Sequence, residues 1–259
     1  MTESNAAAPR VVVHPTKQLL SDAIGARLLT ALVDVQAARG EVSLVLTGGS
    51  LGSAVLASLG ALPGRDAVDW SRVDLWWGDE RFLPQGDPER NETQNREALL
   101  DALPLDPARV RAMPGPDGPD GDDVAAAAAR YAGWLADAAG VDAAGGVQSP
   151  TFDILLLGVG PDAHVASLFP GHPDQLTAGV AAAPVHDSPK PPPTRITLTF
   201  EALNRADRVW FIVAGADKAD AVAVSVAGAP PQESSAAQVH GIQETLWLVD
   251  VDAASSLPR

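Results

Sequence analysis

The sequence predicts an α/β fold: a Rossmann-like, mostly parallel sheet with helices on both faces and one antiparallel strand. Three observations lead there. Short apolar runs such as Val42 to Leu46 and Phe152 to Leu157 read as strands buried on both faces. Stretches with apolar residues at helical spacing separate them, the alternation expected of a parallel sheet. Several runs end in turns rich in glycine and charge, where open α/β sheets bind their ligands.

Taken in order, residues 1–9 carry neither a basic segment nor a long apolar one. They read as a flexible tail rather than a signal peptide, and 10–259 as one domain. Lys17 to Arg39 sets Leu20, Ile24, Leu28, Leu32 and Val35 on one helical face, with Thr16 as cap and Gly40 as stop. The strand Val42 to Leu46 runs into Thr47-Gly48-Gly49-Ser50 and then a helix, with Ser50 the expected cap. Val73 to Trp77 is a second strand, ending in Gly78-Asp79-Glu80-Arg81. Arg90 to Ala102 reads as helical with Asn91 as a cap, 113–123 as a surface loop, and Asp122 to Ala139 as an Ala-rich helix. Residues 140–150 form a loose connection. Phe152 to Leu157 enters the motif Gly158-Val159-Gly160-Pro161-Asp162-Ala163-His164. Residues 180–194 are Pro-rich and irregular, and Arg195 to Phe200 alternates like a half-buried strand. Val209 to Val213 is a buried strand ending in Gly215-Ala216-Asp217-Lys218. A helix follows over 219–227, and Thr245 to Val249 is the last strand.

Composition narrows the function. Eighteen Lys and Arg against 33 Asp and Glu leave a net charge of −15, which opposes nucleic acid and anionic membrane as partners. No apolar run approaches the ~20 residues needed to span a bilayer. With no cysteine, disulfides, thiol catalysis and thiolate metal sites are excluded. No two histidines have metal-ligand spacing, so neither metal nor other cofactor is expected. The expected setting is the cytoplasm, and the expected state a monomer.

Parallel strands bring Thr47–Ser50, Gly78–Arg81, Gly158–His164 and Gly215–Lys218 to one sheet edge. Arg195 precedes its strand and reaches that edge only if the strand runs antiparallel. The cleft so assembled holds His164 and Asp162, two residues apart. An imidazole titrates near neutrality and suits a general base, with Asp162 fixing its tautomer. Arg81 offers a planar fork for phosphate or a developing oxyanion. Gly48, Gly49 and Ser50 open a helix whose free N–H groups suit an anion, and Glu80 and Asp79 are further cleft groups. His14, His172, His186 and His240 receive no role.

At these residues the sequence resembles the 6-phosphogluconolactonase family, whose fold is shared with glucosamine-6-phosphate deaminase and ribose-5-phosphate isomerase. The match spans about Val11 to Val249. It runs in order through Thr47–Ser50, Gly78–Arg81, Asn91, Asp162 and His164 through Ser167-Leu168-Phe169-Pro170-Gly171, Arg195-Ile196-Thr197, and Lys218. The family's central motif is Asp-Gly-His, whereas this chain has Ala163 in the middle, a substitution that costs energy only at positive φ. The deaminases resemble this motif but carry a glutamate five residues after the histidine, where this chain has Phe169. The resemblance implies hydrolysis of 6-phospho-D-glucono-1,5-lactone to 6-phosphogluconate in the oxidative pentose phosphate pathway. His164, Asp162 and Arg81 are then the catalytic candidates. Thr47, Gly48, Gly49, Ser50, Asp79, Arg195 and Lys218 are candidates for holding a sugar-phosphate substrate. The alternatives are a sugar-phosphate isomerase or deaminase of the same fold, and a non-catalytic sugar-phosphate sensor.

Overall fold

A computed structural model of the chain describes residues 9–139 and 146–258. The expected tail, except Pro9, and much of the 140–150 connection lie outside the described residues. The elements are β1 (Arg10–His14), α1 (Lys17–Arg39), β2 (Val42–Leu46), α2 (Gly49–Ala61), β3 (Val73–Trp77), β4 (Asp79–Arg81), α3 (Asn91–Ala98), α4 (Val124–Ala138), β5 (Phe152–Leu157), β6 (Ala182–Val185), β7 (Arg195–Leu198), α5 (Phe200–Leu203), β8 (Ala206–Val213), α6 (Ala219–Val226) and β9 (Glu244–Asp250).

Among the described residues, six strands form a parallel sheet in the order β1-β9-β8-β5-β2-β3. The fold class is the one the sequence predicts. The antiparallel geometry is wider than one strand, because β4, β7 and β6 form a separate three-stranded sheet. Gly78 joins the two sheets. Its N–H donates to the Leu46 carbonyl at 3.1 Å in the large sheet, and its own carbonyl accepts from Leu198 N–H at 2.8 Å in the small one.

The strand interiors are the apolar runs of the sequence. All six residues of β5 are buried, and Phe211 on β8 stacks on Trp247 of β9 at 4.2 Å. Asp153, an acid inside the β5 run, is tolerated because its carboxylate accepts from Ser43 N–H at 2.8 Å and pairs with Arg39. On one flank α1 packs against α2 and β9. Thr16 caps α1 by accepting from Leu19 N–H, and Gly40 ends it at φ +81, as expected. On the other flank α4 covers β6 and β7, while its Tyr131 hydroxyl accepts from Trp77 N–H at 3.1 Å. That cover explains why β7 is buried throughout rather than half-buried.

Several local expectations are corrected. The stretch read as irregular contains β6, which Pro184 disguises. The strand from Arg195 stops at Leu198, and Phe200 starts α5. The N-cap of α2 is Gly48, so Ser50 lies inside the first turn. Arg90 to Ala102 divides into α3 and a separate 3₁₀ turn, Leu100–Ala102.

Candidate active site

Strand order reverses between β2 and β5: from β2 the chain moves outward to β3, and it later returns on the other side through β5. A crevice outside the carboxyl ends of two such strands is the binding position of open α/β sheets. Thr47 Oγ1, just past β2, accepts from Gly158 N–H, just past β5, at 3.4 Å. In front of this pair lies a cleft of ≈ 290 Å³. Thr47, Gly48, Gly49, Asp79, Arg81, His164, Arg195 and Lys218 all line it, so all four predicted turns and the antiparallel β7 contribute. A larger cavity, ≈ 830 Å³, sits at the amino ends of β2, β3 and β5. Among its charges, Arg109 is paired with Asp74 and Glu41, and Arg39 with Asp153.

The turn carrying His164 is closed by local bonds. Gly160 N–H donates to the His164 carbonyl, and Ala163 N–H to the Gly160 carbonyl, each at 3.0 Å. His164 Nδ1 lies 2.6 Å from Asp162 Oδ1. A carboxylate can only accept, so the hydrogen is on Nδ1 and Nε2 is the basic nitrogen. Gly160 must be glycine, because a side-chain carbon there would run into both His164 and Asp162. Ala163 does sit at positive φ, +60°. Burial opposes ionisation of Asp162, but the hydrogen bonds from His164 and Lys190 outweigh it and hold the carboxyl well below the usual range. The Phe169 ring lies 4.5 Å from the imidazole.

Across the cleft the cations are held by a second set of bonds. Arg81 Nη1 donates to the Glu89 carbonyl at 2.7 Å and to Asn91 Oδ1 at 2.6 Å. Arg81 Nε is buried and has no hydrogen-bond partner among the described residues. Asn91, expected to cap a helix, instead spends its amide on Arg81 and on the Asp79 carbonyl, at 2.8 Å for the latter. Asp79 is buried and accepts from Ser167 Oγ at 2.6 Å. Arg195 reaches the cleft, but its fork is largely used on the carbonyls of Lys190, Pro191 and Pro192 at 3.0–3.1 Å.

Glu80, expected in the cleft, is not among the lining residues. It is 1% exposed and accepts from the backbone N–H groups of Arg81, Asn91 and Glu92. It therefore anchors the start of α3. Burial pushes its carboxyl up to about 7, against the pull of Arg90 and those three donors.

The amino end of α2 opens on the cleft through Gly48 and Gly49, bringing free N–H groups and the positive end of the helix dipole. A side-chain carbon at Gly48 would collide with the Asn91 amide. Ser50 is exposed, does not line the cleft, and accepts from Lys17 Nζ at 2.9 Å. Lys218 lines the cleft, 3.3 Å from Asp217.

Sequence reasoning gave the cleft-lining Lys190 no role and read Asn91 as a helix cap. A signal existed for Lys190: a lone cation within Ser188-Pro189-Lys190-Pro191-Pro192-Pro193, directly before Arg195, in a chain short of cations. Among the described residues, no cluster of three His, Asp or Glu side chains could hold a metal ion, and no helix is long and apolar enough to cross a membrane.

Comparison with known proteins shows what the chain as a whole is similar to. A family model described as glucosamine-6-phosphate isomerases/6-phosphogluconolactonase matches residues 15–247. The 6-phosphogluconolactonase of Streptomyces coelicolor is 57% identical over 251 residues, covering 97% of this chain and 95% of that protein. That of Mycobacterium tuberculosis is 45% identical over 248 residues, covering 96% and 98%. The solved 6-phosphogluconolactonase of Trypanosoma brucei superposes with a TM-score of 0.80 at 26% identity, covering 96% of this chain and 99% of that one.

Proposed function

The chain belongs to the glucosamine-6-phosphate isomerase/6-phosphogluconolactonase family, and from that premise we propose that it hydrolyses 6-phospho-D-glucono-1,5-lactone to 6-phosphogluconate, in the oxidative pentose phosphate pathway, with His164 as general base. The observation that carries the assignment of the base is the 2.6 Å contact from Asp162 to His164 Nδ1, which leaves Nε2 as the acceptor.

Water loses a proton to Nε2 as its oxygen bonds to the lactone carbonyl carbon. The carbonyl oxygen becomes an oxyanion. The tetrahedral adduct then breaks its bond to the ring oxygen, which takes the proton back from the imidazolium, and the new carboxylic acid ionises in solvent. Arg81, whose Nε has no hydrogen-bond partner among the described residues, is assigned to the oxyanion or to the phosphate. The N–H groups at Gly48 and Gly49 and the Lys218 ammonium suit the phosphate. Asp79, held by Ser167, suits sugar hydroxyls.

The Phe169 ring against His164 supports hydrolysis over isomerisation or deamination, because it fills the position where the deaminases resembling this motif carry the glutamate that supports ring opening and proton shuttling. A phosphorylated sugar does not cross hydrocarbon unaided, so the cytoplasm is the proposed setting. A monomer is the proposed state.

The test is proton release on adding fresh lactone, corrected for spontaneous hydrolysis. Wild type accelerates the reaction, and His164→Ala loses about 10²–10⁴-fold. Equal rates in the two proteins would remove His164 from its role.

A further inference from the structure

We propose that Lys190 is a positioning residue for this hydrolysis: its ammonium group neutralises the Asp162 carboxylate and so keeps His164 available as a neutral base. The inference rests on the reading of His164 as the base.

Two donors share one oxygen. Asp162 Oδ1 lies 2.6 Å from His164 Nδ1 and 2.8 Å from Lys190 Nζ, and Lys190 Nζ lies 3.2 Å from Nδ1. An ammonium group has donors only. Because the bond to Asp162 places a hydrogen on Nδ1, the Lys190–Nδ1 approach is not a hydrogen bond but two donors crowded onto one acceptor. It acts on the imidazole through charge.

Alone, a carboxylate at hydrogen-bond distance favours the imidazolium, and an imidazolium cannot take a proton from water. An opposite charge within about 4–6 Å moves a titration by about 1–3 units, and a like charge moves it back. Lys190 supplies the like charge. Asp162 can then orient the ring without trapping it in the protonated form.

The ammonium is delivered by an ordered strap. Ser188 Oγ donates to the Lys190 carbonyl at 3.0 Å, and Ser188 N–H donates to the Pro193 carbonyl at 2.9 Å. The Arg195 fork clamps the carbonyls of Lys190, Pro191 and Pro192. The remaining groups that face His164 are fixed. The Phe169 ring lies at 4.5 Å, Arg195 at 5.8 Å from that ring and His172 at 6.5 Å from it. Asp79, Arg81 and Lys218 line the same cleft. Replacing Lys190 alone changes the identity of none of them.

The experiment compares wild type, Lys190→Met and Lys190→Arg by two readouts: kcat/KM for the lactone against pH, and the titration of the His164 ring by NMR without substrate. In Lys190→Met both midpoints move up by about one pH unit, so that below the acid limb the rate falls about tenfold relative to wild type. In Lys190→Arg, which keeps the charge, they stay in place. A uniform drop in kcat, or a raised KM, with unmoved midpoints in Lys190→Met would overturn the proposal and leave Lys190 as packing or a substrate contact. A wild type that does not accelerate lactone hydrolysis would sink the lactonase reading instead, and the NMR midpoint would still decide the role of Lys190.

Discussion

Ala163 shows how a residue's cost is settled by competing terms of similar size. At φ +60° an alanine carries a left-handed penalty of about 1–2 kcal/mol. Its methyl is 2% exposed, and burying a methyl returns about 0.8 kcal/mol. Glycine in its place would add about 0.5–1 kcal/mol of chain entropy to lose on folding. The terms nearly cancel, so Ala163→Gly is expected to change unfolding free energy by less than about 1 kcal/mol and to leave turnover intact. Ala163→Val adds crowding at a buried position and costs about 1–3 kcal/mol more. Denaturant unfolding of both variants checks this, and a gain above about 2 kcal/mol for glycine would show unrelieved strain. The sequence posed this question without answering it, because φ is a property of the folded turn. Nor did it show the partners of Lys190 and Asn91, namely Asp162 and Asp79, which stand 28 and 12 residues away.

At the scale of elements, α3 is hung from one buried carboxylate. Glu80→Gln puts an amide N–H₂ against the Glu92 N–H that Glu80 Oε2 now accepts at 2.8 Å. An orphaned buried donor costs about 1–3 kcal/mol, so the variant is expected to unfold at lower denaturant. The carboxyl is raised from 4.5 to about 7, so the folded state holds its proton over a range in which the unfolded chain has released it. Wild type should therefore lose stability relative to Glu80→Gln as pH rises from 4.5 to 7, with no further relative change above. A second element-scale expectation concerns α2. Gly48→Ala drives a methyl into the Asn91 amide, which loosens Arg81 and raises KM for the lactone more than it lowers kcat. Buried strands were legible because two covered faces demand unbroken apolar runs: β2, β3 and β5 fall at the expected residues. The small sheet was not. β4 has three residues, all of them charged, and β6 contains a proline. Its stability comes from α4 and Gly78 rather than from its own pattern.

For the molecule as a whole, the two sheets share Gly78 and one cleft, and we take residues 10–259 as a single cooperative unit. Calorimetry is expected to show one transition, with loss of lactonase activity following it; two separated transitions would divide the domain. The cleft draws on this wholeness unevenly. Asp162 and His164 sit on one short turn closed by its own bonds, with two ties outward: the Ala163 carbonyl accepts from Ala236 N–H at 3.2 Å and Asp162 from Lys190 Nζ at 2.8 Å. Arg81, Lys190, Arg195 and Lys218 arrive from distant segments. The base and its orienting acid are thus close neighbours in the chain, while grip on the substrate is a collective possession. An enzyme warmed toward its transition should therefore lose its hold on dilute lactone first, with KM climbing while kcat still rises, and should fail in a substrate-poor cell before it fails in a saturated assay.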